Sequence, residues 1–141
     1  MKQKKAWIVL LVAYIVAFAA NVGSFAWSFG IGWREIVTST LYVLVWLFFF
    51  ASGRQDRKKM RFSAAAGAVM AIGGTLGVLV RTFPGAGLTG FALLTAGVTV
   101  TPLHGLLALI RDYDVFYAVA ALIGLIWFAI SFLHWKRKWR V

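Results

Sequence analysis

Apolar runs alternate with short polar nodes along the whole chain, and the runs are long. Ala6 to about Ser28 carries no charge, and the run through Ile31–Ala51 is interrupted only by Arg34 and Glu35. Phe62–Val80, Leu88–Ile110 and Val115–His134 are three further uncharged stretches. A bilayer-spanning helix needs about 20 such residues. The pattern therefore predicts an all-α, polytopic integral membrane protein: one domain over 1–141 with five apolar helices near 6–28, 31–51, 62–80, 88–110 and 115–134. A basic loop is expected over 52–61.

Within these runs, glycine recurs at helical spacing. Gly67, Gly74 and Arg81 are separated by sevens, with Gly73 and Gly77 close by, and Gly90, Gly97, His104 and Arg111 repeat the interval. Seven residues return nearly to the same helix face, drifting about 20°. Small residues let membrane helices approach closely. Gly67, Gly73, Gly74, Gly77, Gly90 and Gly97 are thus expected at helix–helix contacts. Pro84 ends the third helix, and Pro102 interrupts the fourth, because proline removes a backbone donor. The bulky end of segment two, Leu41–Phe50, suits lipid or a partner.

Charge sets the orientation. Arg54, Arg57, Lys58, Lys59 and Arg61 face a single Asp56 in the loop, and Lys2, Lys4 and Lys5 precede the first run. Cytoplasmic loops carry the Lys/Arg excess, so the N-terminus and this loop are expected in the cytoplasm. Two topologies remain open for the rest. Five crossings, the preferred reading, put the tail with Lys136, Arg137, Lys138 and Arg140 outside. Four crossings put every basic cluster inside and turn segment four into a re-entrant loop around Pro102-Leu103-His104-Gly105.

Composition agrees with the pattern. The 141 residues are 62% hydrophobic and 13% charged, against about 25% charged in soluble domains. The net charge of +11 falls in clusters at helix ends, where it would meet anionic headgroups. A nucleic-acid partner is rejected on that ground, and the lipid bilayer is the expected one. A bacterial-type inner (plasma) membrane fits. Cysteine is absent, which excludes disulfides and thiolate metal sites. The N-terminal run is too long for a signal peptide and is read as a retained helix. Trp7, Trp27, Trp33, Trp127, Trp135 and Trp139 lie toward predicted helix ends as an aromatic belt, with Trp46 as the exception.

The candidate chemistry is sparse. Glu35, Asp56, Asp112 and Asp114 are all assigned to loops, which counts against proton-coupled transport through a membrane carboxylate. No nucleophile–base pair is apparent, so no catalytic residue, metal or cofactor is expected and the chain is read as a non-enzyme. Three residues are candidates for binding: Arg81, Asn21 and His104. Arg81 reads first as snorkelling to headgroups or pairing with Glu35, and alternatively as an anion site at the mouth of a glycine-lined cleft. Asn21, Ser24 and Ser28 share a face that suits interhelical hydrogen bonds or the lining of a pathway. Five crossings would put His104 toward the inner side. Two functions follow: a small transport or channel component for a small solute or anion, or a non-catalytic accessory or assembly subunit of a larger membrane complex. A homo-oligomer is compatible with either.

Overall fold

The computed structural model describes residues 2–27, 30–53, 56–83, 85 and 89–137. These form α1 (Lys2–Trp27), α2 (Trp33–Gly53), α3 (Arg57–Thr82), α4 (Thr89–Val100), a 3₁₀ segment (Thr101–Leu106), α5 (Leu107–Ile110) and α6 (Tyr113–Arg137). No strand occurs among the described residues. Five helical stretches are long and apolar enough to cross a membrane: Lys5–Ala26, Trp33–Ser52, Arg57–Thr82, Thr89–Ile110 and Tyr113–Lys136. Ser28, Arg54, Pro84, Lys138, Trp139 and Arg140 lie outside the described residues.

Capping moves two boundaries from their expected places. The Asp56 carboxylate accepts from the amides of Lys58 (2.9 Å) and Lys59 (3.4 Å), so α3 starts five residues before Phe62 and absorbs the second half of the expected loop. Asp112 does the same for α6, accepting from the amides of Asp114 (2.8 Å) and Val115 (3.0 Å). Arg111, between α5 and α6, has φ 59°, a left-handed conformation that ends the preceding turn.

Two antiparallel pairs frame the molecule. In the first, Trp7 meets Phe49 (ring centroids 4.9 Å), Tyr14 meets Tyr42 (6.1 Å), and Asn21 reaches Thr38. In the second, α3 and α6 run antiparallel along their whole lengths. Arg61 stacks over Trp135, Ser63 meets Ser131, Gly67 faces Gly124 and Phe128, Gly74 faces Ala121, Gly77 faces Tyr117, and Arg81 pairs with Asp114. The backbones nearly touch. A Cβ on Gly67 would stand 2.6 Å from the Phe128 nitrogen, and one on Gly74 would stand 2.5 Å from the Ala121 nitrogen.

This antiparallel pairing sets the course of the fourth segment within the bundle. The end of α3 and the start of α6 lie together, so the segment between them leaves and returns at the same end of the bundle. From Thr89, α4 runs back along α3 until Thr99 fills the notch at Gly73. Its 12 residues rise at most about 18 Å, at 1.5 Å per residue, against a hydrocarbon core of about 30 Å. The chain then turns through Val100–Leu103 and comes back by way of the 3₁₀ segment and α5. The ends of the bundle follow: the starts of α1 and α3 and the end of α6 share one end, here the basic end. His104 correspondingly sits toward the opposite end, beside Ser24 and near Glu35, rather than at the basic side.

The hairpin is the core. Val100, Thr101, Pro102, Leu103, His104 and Gly105 are all buried, and Ala17, Tyr42, Phe116, Tyr117 and Ala120 close around them. At the basic end, Trp7, Trp46, Phe49, Phe62 and Trp127 pack edge to face or stacked. Phe49 and Phe50 are therefore buried instead of turned outward, while Phe48 is exposed.

Candidate functional site: the polar cluster at the re-entrant turn

The polar residues of α1, α2 and the 3₁₀ segment converge at one place. Asn21, Ser39, Thr101 and His104 are each fully buried, and Ser24 nearly so. The 3₁₀ segment delivers its backbone as well as its side chains. Gly105 has no room for a side chain, because a Cβ would collide with the Glu35 carbonyl and stand 2.7 Å from Ser39 Oγ. That absence lets the Gly105 amide donate to Ser39 Oγ at 3.1 Å.

From there the hydrogen bonds run in one direction. The Ser39 hydroxyl donates to Asn21 Oδ1 (3.4 Å), and Asn21 Nδ2 donates to the Ala17 carbonyl (2.7 Å) and to Thr38 Oγ1 (3.4 Å). Thr38 in turn donates back to the Arg34 carbonyl (2.9 Å). The chain stitches the turn to both helices of the first pair.

His104 stands at the side of this chain. Ser24 Oγ donates to the Asn21 carbonyl (3.0 Å) and lies 3.3 Å from His104 Nδ1. A hydroxyl has one proton. With that proton on the carbonyl, the imidazole must donate from Nδ1, and a neutral ring then carries a bare lone pair on Nε2. That atom is buried without a partner, and so is Thr101 Oγ1. Phe25, Tyr113 and Phe116 surround the ring at centroid distances of 5.5, 5.9 and 6.1 Å. His104 Nε2 and Thr101 Oγ1 are thus the two side-chain atoms of the cluster left open to a small polar partner, with no formal charge among its side chains. A buried polar atom left unpaired costs roughly 1–3 kcal/mol, which a bound donor would recover. Among the described residues no group of three His, Asp or Glu side chains could hold a metal.

Of the three candidate binding residues, Asn21 and His104 are in this cluster and Arg81 is not. The Arg81 Nε bonds Asp114 Oδ1, and its guanidinium lies 5.2 Å from the centre of the Tyr113 ring. Both partners are substantially exposed. The heptad that aligned Arg81 with the glycines aligned it with α6, and the first turn of α6 supplies a carboxylate. The pairing with Glu35 is not made; Glu35 bonds Arg34 (2.9 Å) and accepts from the Gly32 amide (3.0 Å). The Arg81 guanidinium is thus engaged by a carboxylate of α6.

The glycines divide similarly. Gly67, Gly73, Gly74 and Gly77 meet neighbours too closely for any side chain, and Gly97 lies within ordinary contact of Phe25. Gly90 has nothing within 4 Å and makes no interior contact. Ser39, Thr101 and Gly124 contribute as well, without any sequence signal of their role, and Gly105 does so from the turn Pro102-Leu103-His104-Gly105. Thr38 and Thr40 bond back to their own helix, while Ser39 between them is buried. Comparison with protein-family models, with curated proteins and with solved structures finds no match for this chain.

Proposed function

We propose that the chain is a small four-crossing membrane transport component, in which the re-entrant hairpin 89–110 forms half of a pathway for a small uncharged polar solute. Helices α1, α2, α3 and α6 make the crossings. The basic end is read as cytoplasmic, since Lys5, Arg57, Lys58, Lys59, Arg61 and Lys136 lie there and such clusters are retained inside. One observation carries the reading: a hairpin that starts and ends at one end of the bundle holds two unpartnered polar atoms, His104 Nε2 and Thr101 Oγ1, among buried residues. Irregular backbone at membrane depth is tolerated where protein buries it or where it lines a cavity. Interrupted helices are also where membrane transporters place their substrate sites. The solute is uncharged because the cluster offers an acceptor and a hydroxyl but no ion.

An accessory or assembly subunit is the competing reading. Such a subunit would dock through its glycine faces, and here α6 and Thr99 occupy those of Gly67, Gly73, Gly74 and Gly77. The experiment is solute-driven swelling of proteoliposomes with glycerol and urea. Expected is uptake above that of empty vesicles, reduced about 5- to 150-fold in His104→Leu, the range that corresponds to losing a 1–3 kcal/mol partner. Arg81→Ala should leave it unchanged. Uptake equal to that of empty vesicles, or equal in His104→Leu, overturns the proposal.

A further inference from the structure

The open atoms of the polar cluster have to be reached from the surface, and the packing around them decides how. In a 3₁₀ helix, side chains three residues apart eclipse, so Thr101 and His104 share one edge of the segment. Core residues take up much of their surroundings: Val100, Leu103, Phe116, Tyr117 and Ala120 are buried in one cluster. Against the imidazole itself lie Ser24, Phe25, Tyr113 and Phe116. Ser24 and Phe116 are buried, whereas Phe25 and Tyr113 are half-buried. Those two rings therefore stand between His104 and the surface.

The two rings are held differently. Tyr113 is the first residue of α6, and its ring lies 5.9 Å from the imidazole and 5.2 Å from the Arg81 guanidinium. Phe25 belongs to the last turn of α1. It meets the imidazole edge to face, with centroids 5.5 Å apart and planes at 87°. The same ring passes Gly97 of α4, where a Cβ would stand 3.5 Å from Cε1. That distance is an ordinary contact, so the glycine leaves room for a methyl group beside the ring. Phe25 thus spans the seam between α1, the 3₁₀ segment and α4, with space at its edge.

We infer that Phe25 is the gate to the polar cluster and sets the size of solute admitted to His104 Nε2 and Thr101 Oγ1. The inference rests on the pathway reading proposed above. In the closed position the ring caps the imidazole. A change between staggered rotamers carries it off the imidazole past Gly97 without moving a helix. Tyr113 is the wall against which it closes. An edge-to-face aromatic contact is worth about 2- to 12-fold in a two-state equilibrium, and that is the expected effect of removing the ring.

The absence of cysteine makes the test direct. Thr101→Cys introduces a single thiol, and its modification by a small methanethiosulfonate reagent is timed in the full chain in liposomes. In that background Phe25→Leu should speed labelling by about 2- to 12-fold; a swap between large apolar side chains keeps the fold. Gly97→Ala, which sets a methyl group against the closed ring, should slow labelling. Equal rates with and without Phe25→Leu, or a rate in Gly97→Ala that is not slower, overturn the gate. A thiol that reacts in none of these proteins overturns it too. Swelling assays then separate the gate from the pathway. With Thr101 restored, Phe25→Leu should raise uptake of erythritol, which is larger than glycerol, relative to uptake of glycerol. An unchanged ratio overturns the size role. Faster labelling with no uptake by any protein sinks the transport reading and leaves the gate standing; uptake by the wild type with labelling unmoved by Phe25→Leu sinks the gate alone.

Discussion

Gly74→Ala tests the geometry on which the bundle depends. The added methyl carbon would stand 2.5 Å from the Ala121 nitrogen, 2.8 Å from the Tyr117 oxygen and 2.9 Å from the Ala121 Cα. Ordinary carbon contacts lie near 3.5–4.0 Å, so α6 must withdraw by roughly 1 Å. All three obstacles are backbone, and no rotamer change relieves them. A radial gap of that size forfeits a quarter to a half of each dispersion contact it opens, and the gap spreads along the helix to the matching contact at Gly124, whose own Cβ would stand 2.5 Å from the Ala71 nitrogen. Overpacking of this kind costs about 1–3 kcal/mol. The gain in helix propensity, up to about 1 kcal/mol, offsets part of it. Net destabilisation of about 1–2 kcal/mol is expected, read as a shift in the midpoint of denaturing-detergent unfolding in mixed micelles. Gly90→Ala is the control, since Gly90 meets nothing within 4 Å; it should be neutral or slightly stabilising. Equal effects of the two substitutions would refute close packing of α3 on α6.

A reporter fused after residue 141 should be active on the same side as one inserted at residue 55; activity on opposite sides refutes the four-crossing arrangement. Ser63→Ala removes the contacts of its hydroxyl with Ser131 (3.0 Å) and Trp127 Nε1 (2.8 Å), and at about 0.6 kcal/mol per membrane hydrogen bond should cost about 1 kcal/mol in the same unfolding assay. Arg81→Ala should cost at most about 1 kcal/mol, as exposed ion pairs do, and the exchange Arg81→Asp with Asp114→Arg should restore most of it; an exchange that does worse than either single change would refute the pairing.

The apolar periodicity made the helices legible, because a run of uncharged residues says where a helix lies whatever it packs on. It did not say which way the fourth segment runs. Leu88–Ile110 is uncharged and long enough to cross, and nothing local to it distinguishes a kink at Pro102 from a turn. The deciding information is in the partner: Arg81 with Asp114 at one end, Arg61 with Trp135 at the other. Those contacts join residues far apart in sequence. Asn21 and His104 stood out as rare polar residues among apolar ones. Ser39 and Gly105 did not, since a serine in a Thr-Ser-Thr run and a glycine among fourteen are unremarkable until their neighbours are known. Asp56 and Asp112 carried a readable signal, each standing three residues or fewer before the amides they cap, but loop charge patterns masked it.

The returning hairpin has a consequence for biogenesis. A ribosome delivers residues 89–110 before α6 exists, and at that moment the insertion machinery meets a 22-residue stretch with a mean hydropathy of 1.8, equivalent to any crossing helix. On the four-crossing reading proposed above, charge favours returning the chain only when α6 follows, with Lys136, Arg137, Lys138 and Arg140 behind it. The hairpin can then fold only against helices already in place. On that reading a stretch translated later settles the disposition of one made earlier.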